Sequence, residues 1–233
     1  MLDQAFEALK TYDWGQDRKV LNPIDEAVIA TQKDAGARAE LEKRLADVLS
    51  TDVSYDAKQF VCRQLMIVGT AQTVPALAAL LSDAKLSHMA RYALERNPAP
   101  AAAEALRAAL PKLDGALKIG VISSLGTRQD EASVPALAQL AGEGDEAVAR
   151  SAAAALGAIR SPAAAKALAQ ASSAAGVAGV VTDASLACAE ALLAGGKNLD
   201  ALAIYKRLAG GDPPKHVKLA ATRGMLACAG KKD

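Results

Sequence analysis

Apolar residues recur at intervals of three and four along most of this chain, and those recurrences are themselves repeated. In "EAVARSAAAALGAI" (146–159) Ala149, Ala152, Ala153 and Leu156 fall at i, i+3, i+4 and i+7, the spacing that lays one stripe along a helix. "LSHMARYALER" (86–96) places Ala90, Ala93 and Leu94 in the same register, and Asn97 takes the i+7 position just beyond it. Between such segments lie others that open alike, "TVPALAALL" (73–81) and "SVPALAQLA" (133–141), near twins sixty residues apart. Strand formers are sparse, since β-branched runs are short and the apolar positions are mostly Ala and Leu, both strong helix formers. The pattern predicts an all-α chain.

Aligned on the Ala-Leu pair that ends "VPAL", the chain gives Leu77, Leu106, Leu137, Leu168 and Leu202, spaced by 29, 31, 31 and 34 residues. A basic residue ahead of small and apolar positions repeats with it, as Lys58, Arg91, Lys118, Arg150 and Lys218. A period near 31 to 34 residues signals a stack of identical supersecondary units. Each unit reads as two helices. The first opens on a hydroxyl residue and proline (Thr73-Val74-Pro75, Ser133-Val134-Pro135, Ser161-Pro162), where the hydroxyl is expected to cap free N–H groups and proline costs nothing in the first turn. It closes at turns such as "SDAK", "GEGD" and "AGGD". Neither helix can bury its stripe alone, so successive units must pack on each other.

The order V-P-A-L, a loop Asp, a basic residue and then A-A-x-A-L-G resembles the HEAT-repeat family, best in "SVPALAQLAGEGDEAVARSAAAALGAIRSP" and over roughly residues 41 to 230. The resemblance implies a right-handed α-solenoid of about five helical hairpins, with residues 1–40 as an N-terminal helical cap and 41–233 as the repeat array. It also implies a structural ladder between the loop Asp and the second-helix base, which Asp145 with Arg150 and Asp212 with Lys218 fit best. Asp183 stands where one base belongs. The functions implied are a non-catalytic scaffold that holds a protein or peptide on its second-helix surface, or an accessory module of a larger bacterial enzyme or a lyase-like HEAT-repeat protein.

Charge and chemistry narrow this reading. Net charge is +1 and the pI 7.7, too balanced for a general nucleic-acid binder. Residues 1–60 hold 8 Lys/Arg against 12 Asp/Glu and the remainder 19 against 14, so the head is mildly acidic and the body mildly basic. His88 and His216 are the only histidines, without zinc-site spacing, and nucleophile-elbow, P-loop and dinucleotide motifs are missing. The acidic turn at Glu143, Asp145 and Glu146 lacks the alternating ligands of a calcium loop. No catalytic residue, metal or cofactor is therefore expected. Cys62, Cys188 and Cys228 read as buried free thiols. No run suggests a membrane span, and the start has no signal-peptide order, so the expectation is a soluble, cytoplasmic chain, or an exported one if Met1 replaces an earlier segment.

Two surfaces stand out. Carrying the helical phase of each second helix outward predicts a partner-binding line of Tyr55, Gln59, His88, Tyr92, Glu95, Ile119 and Ile122, continuing to Ser151 and Ala154. Trp14, Phe6 and Tyr12 gather in the head, as the filling of a cap or as a binding anchor. At the other end Val217, Ala220, Ala221 and Gly224 form one stripe, but Leu219, Met225 and Leu226 lie beyond it. A solenoid end needs a polar face. The expectation is that a second copy, meeting through the C-terminal units, or a continuation of the chain covers them.

Overall fold

The computed structural model describes residues 1–143, 145–171 and 175–230, with the side chains of Glu143 and Ala175 outside the description. The Lys231-Lys232-Asp233 tail and the Glu143 carboxylate of the acidic turn thus lie outside the described residues. Among those described there are helices and no strands, and the chain divides into two compact units, Met1–Ser124 and Leu125–Asp233.

The first unit runs α1 (Leu2–Leu9), α2 (Asn22–Ala30), α3 (Ala35–Leu49), α4 (Tyr55–Val68), α5 (Val74–Ala79), α6 (Ser87–Arg96), α7 (Pro100–Ala109) and most of α8 (Gly115–Thr127). Helices α3, α5 and α7 pack in sequence as one layer, and α2, α4 and α6 as the other. The second unit holds α9 (Val134–Glu143), α10 (Glu146–Ile159), α11 (Pro162–Leu168), α12 (Ala175–Ala194), α13 (Asn198–Ala209) and α14 (Lys215–Gly230). There α9 packs on α11, while α10, α12 and α14 form the second layer. Each unit is thus a two-layer stack of hairpins, the construction of an α-solenoid. The five aligned leucines lie on α5, α7, α9, α11 and α13, and α3–α4 forms a further hairpin without the Pro-Ala signature.

The local sequence explains the helix boundaries, with one correction. Proline occupies the first turn of α2, α5, α7 and α11. Ser161 caps α11 as expected, accepting from the Ala164 N–H. Thr73 and Ser133 do not cap. Each ends a 3₁₀ turn (Ala71–Thr73, Glu131–Ser133) that runs straight into its helix, and each buried hydroxyl donates back to the carbonyl three residues earlier, Thr70 or Asp130. The V-P pair continues a turn already begun.

The Leu-Gly pair of the repeat has a spatial cause. A Cβ on Gly126 would sit 2.9 Å from Ala155 Cα, and one on Gly157 2.7 Å from Ala184 Cα. Small residues here let neighbouring second helices meet backbone to backbone.

Buried polar groups tie the first unit together. Glu42, 1% exposed, accepts from the Thr70 N–H (2.6 Å) and hydroxyl, and Asn97 donates to the Thr70 carbonyl at 2.7 Å. Arg38 closes the C-terminus of α4 by donating to the Val68 and Ile67 carbonyls. In the second unit the stretch Gly176–Ala194 is long and apolar enough to cross a membrane by length and composition, which the reading of the sequence did not anticipate. It packs against α10, α11, α13 and α14, and a third of the stretch is buried.

Candidate partner-binding surface

On α4 and α6, helices that pack against each other, the exposed positions carry aromatic and hydrogen-bonding side chains. Tyr55, 41% exposed, opens α4, and its Oη accepts from Gln59 Nε2 at 3.2 Å. Arg63 donates to Gln59 Oε1 at 3.2 Å, one turn further on. Ile67, 55% exposed, completes this i+4 row. On α6, His88 and Tyr92 are exposed and meet edge to face, ring centroids 4.7 Å apart and planes at 86°. Edge-to-face contact is a favoured arrangement of two rings.

Beneath them lies a network. Arg91 Nη1 donates to the Gly120 carbonyl (3.0 Å) and to Ser124 Oγ (3.1 Å), and Nη2 lies 3.2 Å from His88 Nδ1. Ser124 in turn donates to Glu95 Oε1 at 2.6 Å. A Cβ on Gly120 would meet the Arg91 guanidinium at 2.6 Å, so glycine makes the space that the arginine fills. Burial pulls the Arg91 pKa below its ordinary value, with Glu95 acting in the opposite sense.

The expected line of contact residues is therefore sorted by depth. Tyr55, His88 and Tyr92 are exposed, and Gln59 and Ile119 half-buried. Glu95 is held inward by Ser124. Ile122 is a correction: it is fully buried and belongs to the core. Apolar residues surround α8 on every side (Leu117, Ile119, Val121, Ile122, Leu125), so its sequence does not reveal which face turns inward. In the second unit Ser151 is half-buried and Ala154 exposed, without aromatic neighbours on α10.

The ladder residues bond to different groups. Asp145 caps α10 by accepting from the Ala147 and Val148 amides at 3.0 and 3.1 Å. Arg150 reaches forward to the Gly176 carbonyl at 2.9 Å, with Glu146 at 3.9 Å. Asp212 and Lys218 are both exposed at the start of α14. Asp83 repeats the role of Asp145 before α6, accepting from the Leu86 and Lys85 amides, which hold its carboxyl below the usual carboxylate range. Reasoning from sequence missed the forward reach of Arg91 and Arg150 to a backbone carbonyl. The signal was present as a basic residue one period ahead of a glycine, Gly120 or Gly176.

In the head, Phe6 is buried with the Arg44 guanidinium 4.0 Å above its ring, Tyr12 is half-buried, and Trp14 is 88% exposed. All three cysteines are buried and free, and burial pushes the Cys62 and Cys188 thiols up to about 12 and about 11, leaving them unreactive. At the far end Val217, Ala221, Gly224 and Cys228 form the buried stripe of α14. Leu219 and Leu226 are 60% and 69% exposed, and Met225 is half-buried.

Residues 103–189 match the family described as HEAT repeats. Among solved structures, human deoxyhypusine hydroxylase in complex with glycerol aligns over 99% of this chain and 96% of that one, at 19% identity and a TM-score of 0.38. That likeness is too distant to carry chemistry across. No curated protein sequence matches.

Proposed function

We propose that the protein is a binding scaffold whose exposed second-helix surface in the first unit, built around Tyr55, Gln59, His88 and Tyr92, holds a protein or peptide partner. The observation that carries this reading is the pair of pre-oriented aromatic groups, Tyr55 with Gln59 and His88 with Tyr92, on adjacent helices. Exposed tyrosines held in place bind at low entropic cost, and such residues concentrate binding energy. Arg91, Ser124 and Glu95 fix the platform from below and are assigned to positioning. Asp145 and Arg150 are assigned to stability, Asp212 and Lys218 to the entry of α14, and residues 1–40 to the cap of the array.

The test is a partner captured from the source organism's lysate, identified by mass spectrometry and re-measured with purified components. Tyr55→Ala and Tyr92→Ala are each expected to weaken it at least tenfold with circular dichroism unchanged. Equal affinity of the Tyr55→Ala, Tyr92→Ala double variant sinks the assignment. Leu219 and Leu226 are proposed as a contact between two copies of the chain, which light scattering of Leu219→Asp checks. An unchanged mass for wild type and variant removes that contact.

A further inference from the structure

In the second unit the first-helix layer is interrupted. α9 packs on α11, but α13 packs on α12 and α14. Between α11 and α13 lies a cleft of about 340 Å³, walled by Pro162, Ala165, Ala169, Ala203 and Ile204 and floored by Leu192 of α12. It adjoins a second hollow of about 220 Å³, toward Val181 and Ser185, and the two share Ala169 and Arg207. The result is a trough with an apolar floor, in the size range of ligand clefts.

The charges on its rim are unequal. Lys166 on α11 and Arg207 on α13 line it, against the single carboxylate of Asp200. Among the described residues no ion pair engages Lys166, Arg207 or Asp200. One Arg207 nitrogen donates to the buried Ser185 hydroxyl at 3.3 Å, which fixes the guanidinium where the two hollows meet. A planar guanidinium held at one edge keeps its remaining donors for a carboxylate.

We propose that this trough receives a short segment of a partner protein that carries a carboxylate flanked by small and medium apolar side chains. The apolar residues fill the cleft over Leu192 and the carboxylate meets Arg207 and Lys166. Length favours a peptide over a small anion, because the trough continues past Arg207 into the second hollow. Charge complementarity selects an acidic segment over a basic one. The site is separate from the α4–α6 surface and does not depend on it.

The experiment is selection of a phage-displayed random 12-residue library on the immobilised full chain. Each enriched peptide is then synthesised and measured by fluorescence anisotropy. Enriched sequences are expected to place Asp or Glu among Leu, Val or Ala. Their affinity should fall at least tenfold for Arg207→Glu and for Ala203→Trp, which fills the cleft from an exposed position, and should not change for Tyr92→Ala. Lys166→Glu serves where Ala203→Trp disturbs folding by circular dichroism. Three results overturn the proposal: no enrichment, enriched peptides insensitive to these variants, or displacement by millimolar acetate or butanoate, which makes the trough a small-anion site. Loss on Tyr92→Ala alone places the peptide on the first unit instead.

Discussion

Arg91 in the first unit and Arg150 in the second hold the same place on a second helix and make the same bond, each donating to the carbonyl of a glycine on the next second helix. What surrounds them differs. Around Arg91 stand His88, Tyr92 and Glu95, and its side chain is 15% exposed. Around Arg150 the same offsets give Ala147, Ser151 and Ala154, and it is 52% exposed. The bond belongs to the repeat and its surroundings to the individual site. A solenoid can therefore keep one inter-helix tie along its length and change the exposed chemistry unit by unit. Aromatic and hydrogen-bonding groups at those offsets favour the first unit as a contact surface.

Close-packed glycines differ between the units in a way that yields the largest expected effect. The missing Cβ of Gly157 faces the backbone of Ala184, which cannot yield without moving α12, whereas that of Gly120 faces the end of the Arg91 side chain. Gly157→Val is expected to destabilise the second unit by about 3 kcal/mol, at the upper end for overpacking. Gly120→Ala should cost about 1 kcal/mol, the value for displacing a hydrogen-bonded side chain. Urea unfolding followed by circular dichroism checks both. Equal losses would mean that the two glycines serve one function and the comparison fails.

The arginines come next. Arg91→Ala removes charge-assisted bonds to Gly120 and Ser124 and leaves Glu95 and Ser124 paired without a cation, so a loss of roughly 1.5 to 3 kcal/mol is expected. Arg150, more exposed and bonded to the Gly176 carbonyl, should lose less than about 1 kcal/mol on truncation to Ala. Denaturant midpoints for both variants decide it, and a larger loss at Arg150 reverses the reading of which arginine is embedded.

How much of this the sequence showed depends on how local the cause is. The hairpins, their prolines and the leucine register were legible because helical period and turn chemistry act within a few residues. Thr73 and Ser133 were read as caps because a hydroxyl before V-P looks the same in sequence whether the preceding turn is free or already 3₁₀. Ile122 was placed outward because α8 is apolar all round. Sequence spacing pairs Arg150 with Asp145 in its own loop, yet Arg150, like Arg91, bonds about one repeat ahead. Glu42, Thr70 and Asn97 tie α3 to the turns that follow α4 and α6, and no spacing rule in one chain points to it. The fold followed from local pattern, whereas the depth and partners of each polar side chain follow from packing between units of the repeat.

The loop aspartates give the smallest effect and the sharpest test of what the two units share. Asp83 and Asp145 each accept from two backbone amides at the entry to a second helix, so truncation of either to Ala should cost about 1 kcal/mol, the usual value for a helix-start cap. For Asp83 a pH dependence follows. Its carboxyl is held below the usual range by the Leu86 and Lys85 amides, so the folded state favours the ionised form. Stability from this source is complete above the unfolded value, about 4, and is lost as pH falls through the lower folded value. The gap between wild type and Asp83→Ala should hold constant from pH 7 to about pH 5 and narrow below about pH 4, measured by urea midpoints at each pH. Asp83→Asn, which keeps an acceptor but no charge, should retain part of the stability and show no such narrowing relative to Asp83→Ala. A gap that widens on acidification would mean that the carboxylate is opposed in the fold, and that this cap is not the element the two units have in common.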